Sequence, residues 1–354
     1  MNAQFTQHNL IFKQASGTSR GVLTTKETYL LEISKNGQKG IGECAIFRGL
    51  SYDDVPDYEE KLTWLCENIH SDFEVLKKEL LHYPSIIFGL EQALLNLEHG
   101  EDLYFPSDFT DGKDSIKING LIWMGNADFM QSQIEEKLAK GFDCIKLKIG
   151  VDWKSEKEII KKLREKFPKE QLELRVDANG AFSYEEATIV LQELADLGIH
   201  SIEQPIKKSE VRSPKSEENS EKKSTDCCIP WNKMARLCAE TPTPIALDEE
   251  LIGIIDFEEK KKLLETIKPQ YIILKPALVG GFSGSDEWIA IAESLGINWW
   301  ITSALESNIG LNAICQYTYT KKNPLPQGLG TGALFTNNFE THLQLEGDQM
   351  WHKK

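Results

Sequence analysis

The chain has 354 residues, of which 40% are hydrophobic, and a formal charge of −15 at pH 7. The length suits two domains or one large barrel with an addition, and the apolar content supports a substantial core. The acidic charge argues against nucleic acid or an acidic membrane surface as a partner. The sequence contains no apolar run of about 18 residues, so it indicates no membrane span. Residues 1–10 do not resemble a secretory signal.

The cysteines and histidines indicate the cellular compartment of the protein and the type of metal ligand it uses. The seven cysteines are an odd number without a Cys-x-x-Cys pair, which predicts a reduced, cytoplasmic protein. The seven histidines form no His-Glu-x-x-His pattern, so any metal is expected to have oxygen ligands.

Residues 1 to about 110 are expected to form an α+β unit, because strand-like segments come first and amphipathic helices follow. A small polar loop at residues 16–20 separates the first two strands, and Lys35-Asn36-Gly37 indicates a turn before the third. The predicted strands are residues 5–13, 21–33 and 39–44, and the predicted helices are residues 58–69, 73–81 and 84–98.

From about residue 114 the pattern changes to an alternation of short apolar strands and amphipathic helices. The predicted strands are residues 115–118, 144–149, 172–176, 199–202, 244–247, 271–274 and 298–302. Helices between them include residues 131–140, 156–167, 184–197 and 287–295.

The polar residues that end these strands recur at a nearly constant interval. They are Asn119, Lys148, Asp177, Glu203, Asp248, Lys275 and Ser303. The intervals are 26 to 29 residues except for one of 45, and one further step reaches Gly330. One strand and one helix per unit of this length is typical of a (β/α) barrel.

The single long interval contains a tract of Ser, Lys and Glu at residues 207–225. Its composition predicts a disordered surface insertion. The insertion follows the fourth strand on the active-site side, where it is either a harmless excursion or a segment that drapes over the pocket or binds a partner.

The predicted fold is therefore α/β, a (β/α)7β TIM-like barrel with an N-terminal α+β capping domain. We place the capping domain at residues 1–112, the barrel at 113–332, and a C-terminal tail at 333–354 that returns to complete the capping domain.

The segment Cys144-Ile145-Lys146-Leu147-Lys148-Ile149-Gly150 alternates apolar and charged residues. This two-residue period puts both lysines on one face of a strand. If that face is the interior of a barrel, the two ammonium groups require carboxylates nearby.

Three consecutive strand ends supply those carboxylates, namely Asp177, Glu203 and Asp248. Active sites of such barrels lie at the carboxyl ends of the strands. Three carboxylates at such short distances would repel one another unless a cation lies between them. Oxygen ligands with open coordination positions suit Mg²⁺. Lys146 and the metal would lower the pKa of Lys148, which favours a neutral amine that accepts a proton. The pattern thus predicts proton abstraction beside a metal-bound carboxylate, with the metal stabilising an enediolate.

Each residue alone has an ordinary structural explanation. A carboxylate at a strand end is commonly a helix cap or a surface ion-pair partner, and a Lys-x-Lys strand is commonly an exposed edge. Six such residues at strand ends with one fixed period favour the functional interpretation.

These residues carry a resemblance to the enolase superfamily, in its muconate-lactonising-enzyme-like branch. The matching segments are Ile145-Lys146-Leu147-Lys148, Arg175-Val176-Asp177-Ala178-Asn179-Gly180, Ile202-Glu203-Gln204-Pro205, Ala246-Leu247-Asp248-Glu249 and Leu274-Lys275-Pro276. Within this branch, Arg175, Gly280-Gly281-Phe282 and residues 302–307 make the chain most similar to the dehydratases of menaquinone biosynthesis.

The resemblance implies dehydration of 2-succinyl-6-hydroxy-2,4-cyclohexadiene-1-carboxylate, a small carboxylate, to o-succinylbenzoate. Asp177, Glu203 and Asp248 would bind Mg²⁺, with Mn²⁺ as a substitute. Lys148 would be the base and then the acid, Lys275 would stabilise the enediolate from the opposite side, and Lys146 would tune Lys148.

The resemblance also implies supporting roles. Arg175 and Asn179 would orient the metal ligands and the base. The loop at residues 16–20, with Ser19 and Arg20, would close over the substrate. Ser303, Glu306 and Ser307 would contribute to the substrate pocket.

Two other functions remain open. An N-acylamino-acid racemase or a dipeptide epimerase of the same superfamily would use the same two lysines. Gly328-Leu329-Gly330-Thr331-Gly332 lacks the Asp-x-Asp motif typical of the epimerases, which disfavours that alternative but leaves the racemase. A non-catalytic barrel would be expected to have lost one of the six charged residues, and all six are present. The oligomeric state does not follow from the sequence.

Overall fold

The computed structural model describes residues 1–18, 21–123, 125, 127–208 and 231–353. Most of the predicted insertion, residues 209–225, and the two loop residues Ser19 and Arg20 lie outside these ranges. The described chain forms one seven-stranded parallel sheet and two three-stranded antiparallel sheets. None of its described helices is long and apolar enough to cross a bilayer.

The N-terminal region is an antiparallel meander covered by helices. Its strands are β1 Asn2–Thr18, β2 Gly21–Lys35 and β3 Gln38–Cys44, and its helices are α1 Tyr58–Asn68, α2 Phe73–Glu79 and α3 Pro84–His99. The helix α3 lies so close to β3 that a Cβ added at Gly42 would be 2.0 Å from the carbonyl oxygen of Gly89. Only a glycine allows this approach, which fixes the helix on the sheet.

The sequence predicted this region well, with one correction. The expected loop at residues 16–20 begins too early, because Ser16, Gly17 and Thr18 pair with Leu23, Val22 and Gly21. Backbone pairing across the hairpin extends both strands beyond the point where small polar residues indicated a loop.

The parallel sheet has seven strands, each hydrogen-bonded to the next one in chain order. Its strands are β5 Gly120–Ile122, β6 Cys144–Lys148, β7 Glu173–Asp177, β8 Ser201–Glu203, β9 Ile245–Leu247, β10 Tyr271–Leu274 and β11 Asn298–Ile301. The helices are α4 Ala127–Ala139, α5 Trp153–Lys166, α6 Tyr184–Asp196, α7 Asn232–Glu240, α8 Phe257–Ile267, α9 Pro276–Val279, α10 Gly281–Ser294 and α11 Asn308–Thr320. Strand residues such as Ile145, Leu174 and Ile202 are fully buried in the largest core cluster.

Two isolated parallel bridges extend the sheet at its edges. Gln327 pairs with Ile118, and Gly328 pairs with Thr302. The segment at residues 327–328 therefore lies between the end of β11 and the chain just before β5.

The first predicted strand of the parallel sheet is wrong by several residues. Ile116–Lys117, here β4, pairs antiparallel with a strand near the C-terminus, and the parallel sheet begins at Gly120. The apolar pattern of residues 115–118 did indicate a strand, but its partner is a distant segment that local periodicity does not identify.

The C-terminal residues contact both parts of the molecule. β12 Leu343–Glu346 and β13 Gln349–His352 form a hairpin that adds to β4. Upstream of the hairpin, Phe335 pairs with Phe12 of β1, and the Lys13 amide donates a hydrogen bond to the Leu334 carbonyl at 2.8 Å.

Candidate active site

Five charged side chains lie in a row at the carboxyl ends of neighbouring parallel strands. Lys148, Asp177 and Glu203 are the last residues of β6, β7 and β8, and they are adjacent in register. Asp248 follows β9 and Lys275 follows β10. We call Asp177, Glu203 and Asp248 the carboxylate row, and a lysine flanks it at each end.

The two lysines of β6 share the face predicted from their spacing. Lys146 donates a hydrogen bond to Glu203 and lies 3.0 Å from Asp177 Oδ2. Lys148 donates to Asn179 Oδ1 at 2.7 Å and lies 3.3 Å from Asp177 Oδ2. Burial opposes the charged form of Lys146, but the carboxylates of Asp177 and Glu203 prevail and raise its pKa.

The carboxylate row is buried, with each of its three residues 2% exposed. Burial and the charge of neighbouring Asp177 raise the pKa of Glu203 to about 8. Burial also raises the pKa of Asp248, although Lys275 acts in the opposite direction. Three buried carboxylates this close repel one another, so the row favours an added positive charge.

Lys275 closes the far end of the row. It donates a hydrogen bond to Asp248, and its Nζ lies 3.9 Å from Glu203 Oε1. Burial works against its charge, but Asp248 and Glu203 raise its pKa. Lys275 is therefore an ammonium group at neutral pH.

The row has the donor set that a divalent cation requires. Glu203 Oε1 is buried and accepts no hydrogen bond from any described residue. An unsatisfied carboxylate oxygen in a buried site is costly, and a hard cation with oxygen ligands removes that cost. The residues present thus fit a Mg²⁺ ion.

Local backbone geometry turns these side chains toward one point. Asn179 and Gln204, within two residues of the ends of β7 and β8, have positive φ values of 44° and 40°, a conformation that non-glycine residues adopt uncommonly. Gln204 Oε1 accepts from the amides of Asp248 at 3.3 Å and Glu250 at 3.2 Å. The side chain of Gln204, which sequence reasoning did not identify, therefore fixes the turn that carries Asp248.

A cavity opens above the row and is partly apolar. The lysines 146, 148 and 275 line it together with Asp177 and Asn179. Its walls include Phe47, Leu50, Trp123, Trp300 and Leu305. Phe47 and Leu50 come from the N-terminal region, so that region contributes to the cavity through residues outside the predicted loop.

Sequence reasoning also missed Glu249, which lines the cavity beside Asp248. Asn179 Nδ2 donates to Glu249 Oε1 at 3.1 Å. Asn179 therefore contacts Lys148, Asp177 and Glu249. The adjacency of Glu249 to a predicted ligand was the only sequence signal for it.

Arg175 lies deeper in the sheet than the row. It is 1% exposed, donates to Glu173 Oε1 at 2.7 Å and to the Pro326 carbonyl at 2.8 Å, and lies 4.3 Å from the centre of the Trp300 ring. These contacts hold the sheet together beneath the site.

The structure separates the predicted pocket residues. Ser303 lines the cavity and hydrogen-bonds Thr331 at 2.6 Å. Glu306 and Ser307 are fully buried and are not part of the cavity lining among the described residues. Ser307 instead donates to Glu43 from its amide and its hydroxyl. Ser19 and Arg20 lie outside the described residues.

Comparison with family models divides the chain as the structure suggests. Residues 130–216 and 226–349 match the model described as "Enolase C-terminal domain-like". Residues 3–97 match the model described as "MenC, N-terminal domain". The fold and the carboxylate row define the class, and the chain belongs to the enolase superfamily.

Similarity to individual proteins identifies the family within the superfamily. The chain is 41% identical to the o-succinylbenzoate synthase of Desulfotalea psychrophila, with 98% of each chain covered. The crystal structure of MenC from the same organism superposes with a TM-score of 0.83 at 39% identity, covering 99% of both chains. The chain is also 33% identical to the N-succinylamino acid racemase of Thermus thermophilus, over 83% of this chain and 75% of that protein. The chain belongs to the o-succinylbenzoate synthase family.

Proposed function

We propose that this protein is an o-succinylbenzoate synthase, which dehydrates 2-succinyl-6-hydroxy-2,4-cyclohexadiene-1-carboxylate to o-succinylbenzoate in menaquinone biosynthesis. The observation that carries the proposal is the order of side chains along the sheet. A lysine stands on each side of three buried carboxylates, on neighbouring strands in the order β6 to β10.

Asp177, Glu203 and Asp248 would hold a Mg²⁺ ion, with Mn²⁺ as a substitute, because superfamily members use Mg²⁺ with a lysine or histidine base. When bound, the ion would neutralise negative charge that develops on the substrate carboxylate. Glu203 Oε1, which accepts no hydrogen bond from any described residue, supports this assignment.

The chain's own residues would perform the proton transfers. Lys148 Nζ, as a neutral amine, takes the proton on the carbon next to the carboxylate, and the C–H bond breaks. The ammonium group formed then gives a proton to the departing hydroxyl, so that water leaves as the C–O bond breaks and the ring becomes aromatic. Asn179 orients the amine, and Lys146 raises the local positive charge beside it.

Lys275 would act from the other end of the row. Its raised pKa keeps it protonated, so it does not compete for the proton. Its ammonium group would stabilise the negative charge that forms when Lys148 removes the proton.

The finer features of the fold belong to the same proposal. We infer that the seven parallel strands and residues 327–328 form a (β/α)7β barrel at residues 113–332, capped by residues 1–112 and 333–354. The two isolated bridges at the sheet edges support closure. A cytoplasmic location agrees with the five cysteines that the structure describes, all of which are free thiols.

The test is direct. We expect the purified protein with Mg²⁺ to convert the cyclohexadiene carboxylate to the aromatic product, followed by its ultraviolet spectrum. Absence of turnover under conditions where the D. psychrophila enzyme is active would overturn the proposal.

A second activity, racemisation of N-acylamino acids, is favoured by one observation. A racemase needs a lysine on each side of the substrate. Lys148 and Lys275, at the two ends of the carboxylate row, meet this need. Deuterium exchange at the α-carbon of an N-succinylamino acid in D₂O would reveal it. The segment at Gly328 and Gly330 that lines the cavity carries no acid for a substrate ammonium group, so we do not propose dipeptide epimerisation.

A further inference from the structure

Two histidines and an aspartate from distant parts of the chain meet beside the C-terminal hairpin. Asp102 lies in the turn after α3, His342 directly precedes β12, and His352 is the last residue of β13. Among the described residues, they form the one group of His, Cys, Asp or Glu side chains whose candidate ligand atoms all lie within 4.8 Å of one another. None of the three lines the cavity above the carboxylate row.

Both imidazole rings contact the same carboxylate oxygen. His342 Nδ1 lies 2.6 Å from Asp102 Oδ2, and His352 Nε2 lies 3.0 Å from the same oxygen. The second oxygen, Asp102 Oδ1, is buried and has no hydrogen-bond partner among the described residues. The carboxylate thus retains a free acceptor in a place that water does not reach.

The second ring nitrogen of His352 identifies the proton arrangement. His352 Nδ1 lies 3.1 Å from the Thr110 carbonyl oxygen, which only accepts, so Nδ1 carries the hydrogen. In the neutral ring, Nε2 then presents a lone pair to Asp102 Oδ2, which is also an acceptor. A cation between the two resolves this conflict, and a histidine that donates its other nitrogen to a backbone carbonyl is the usual arrangement in metal sites.

The cluster is built on rigid parts of the fold. His352 is fully buried. The backbone carbonyl of Asp102 accepts hydrogen bonds from Asn312 at 2.9 Å and Gln316 at 2.8 Å, both on α11. The aspartate is therefore held in place independently of its own side-chain contacts.

We propose that Asp102, His342 and His352 bind a divalent transition-metal ion, with Zn²⁺ as the best fit. One carboxylate oxygen and two imidazole nitrogens match the ligands and the four-coordinate geometry that Zn²⁺ prefers, with water in the fourth position. Ligand atoms around tetrahedral zinc are about 3.3 Å apart, so the 2.6 Å contact of His342 Nδ1 with Asp102 Oδ2 would lengthen by about 0.7 Å and the 3.0 Å contact of His352 Nε2 by about 0.3 Å. The ion would fasten the C-terminal hairpin to the chain after α3, away from the catalytic residues.

The experiment uses the full-length, metal-depleted protein in saturating Mg²⁺, which occupies an all-oxygen site and leaves a histidine site for Co²⁺ as probe. We expect one equivalent of Co²⁺ to give the intense visible absorption of a four-coordinate ion with nitrogen ligands, and Zn²⁺ to displace it. His342→Gln should weaken binding at least about tenfold and remove the Zn²⁺-induced rise in melting temperature. His70→Gln, which changes an exposed histidine elsewhere, should behave as the wild type.

A second variant guards against misfolding. His342 is partly exposed, so its variant should retain the far-ultraviolet circular dichroism of the wild type, and Asp102→Asn should give the same loss of Co²⁺ absorption. If the wild type shows neither the absorption nor stabilisation by Zn²⁺, the cluster is a clamp in which His352 carries two protons, and the proposal is overturned. Equal Co²⁺ absorption in His342→Gln and wild type would also overturn it.

Discussion

Glu43 and Glu203 are both buried carboxylates, yet their surroundings differ in a way that separates a structural role from a catalytic one. Glu43 is fully buried between the N-terminal region and α11, and it accepts four hydrogen bonds. The donors are Thr28 Oγ1 at 2.8 Å, the Ser307 amide at 3.0 Å, the Ser307 hydroxyl at 2.5 Å and the Gly310 amide at 2.9 Å. Glu203 has a lysine on one oxygen and no hydrogen bond on the other among described residues.

The difference shows how a carboxylate's partners indicate its task. Fixed neutral donors satisfy Glu43 completely, so it joins two parts of the fold and has no capacity for a ligand. Glu203 has only a lysine on one oxygen and no hydrogen bond from a described residue on the other, which leaves it able to bind a cation. Four substitutions test this contrast.

The largest effect is expected at the end of the carboxylate row. Lys148→Ala should lower kcat by about a thousandfold, because the proposed base is lost. Circular dichroism should stay unchanged, since the lysine is at a strand end. The matched control is Lys154→Ala, an exposed lysine on α5, with wild-type turnover. A Lys148→Ala enzyme that keeps near-full activity would show that another group is the base.

Glu203→Gln should separate metal binding from folding. At a Mg²⁺ concentration of 100 times Kd, the wild type should gain about 2.7 kcal/mol in unfolding free energy, and the variant should lose this gain. Without Mg²⁺ the two proteins should have similar stability, because Lys146 keeps its contact with Asp177. Urea unfolding with and without Mg²⁺ measures both, and Glu240→Gln on the surface is the control. A large loss of metal-free stability would mean that Glu203 is structural.

Glu43→Gln should give the opposite result. Each Glu43 oxygen accepts from one backbone N–H, of Ser307 or of Gly310, so an NH₂ group in place of either oxygen faces a donor. One buried N–H is then left unsatisfied, which should cost about 2 to 3 kcal/mol in the free energy of unfolding. The stabilisation by Mg²⁺ should remain. In the double variant with Ser307→Ala, the losses in the free energy of unfolding should be strongly non-additive. Additive effects would show that the two residues do not act together.

The fourth change concerns Glu91, a carboxylate between the two extremes, and its effect is confined to the pH dependence of stability. It accepts from the amides of Phe282 and Ser283, yet burial prevails and raises its pKa from the usual 4.5 to about 7. Between these values the folded protein keeps a proton that the unfolded chain has released. The free energy of unfolding should therefore fall as pH rises from about 4.5 to about 7, by about 3 kcal/mol at most.

Replacing Glu91 with Gln should flatten that slope. Glu98→Gln, at an exposed position on the same helix, should leave it unchanged. Denaturant titrations at pH 5 and pH 7 would measure both variants. An unaltered slope in Glu91→Gln would assign the pH dependence to other groups.

Much of the fold was predictable because its signals are local. The interval between strand ends placed Lys148, Asp177, Glu203, Asp248 and Lys275, and the structure brings these residues together. The first strand was misplaced because β4 finds its partner in β13, more than two hundred residues later. Periodicity within a window carries no information about such a partner.

The remaining site residues escaped prediction for a related reason. The wall residues Phe47 and Leu50 come from the N-terminal region, and an aromatic or leucine side chain there looks like any core residue. Asp102, His342 and His352 likewise converge from segments about 240 residues apart. Only tertiary structure brings such groups together.

The two bridges at Gln327 and Gly328 have a consequence for biosynthesis. All five charged residues at the strand ends lie at or before residue 275. The bridge at Ile118, however, cannot form until Gln327 has been synthesised. Such distant pairing is entropically slow. A chain truncated before Gln327 would lack both bridges, so the sheet that carries these five charged residues would stay open at its edges.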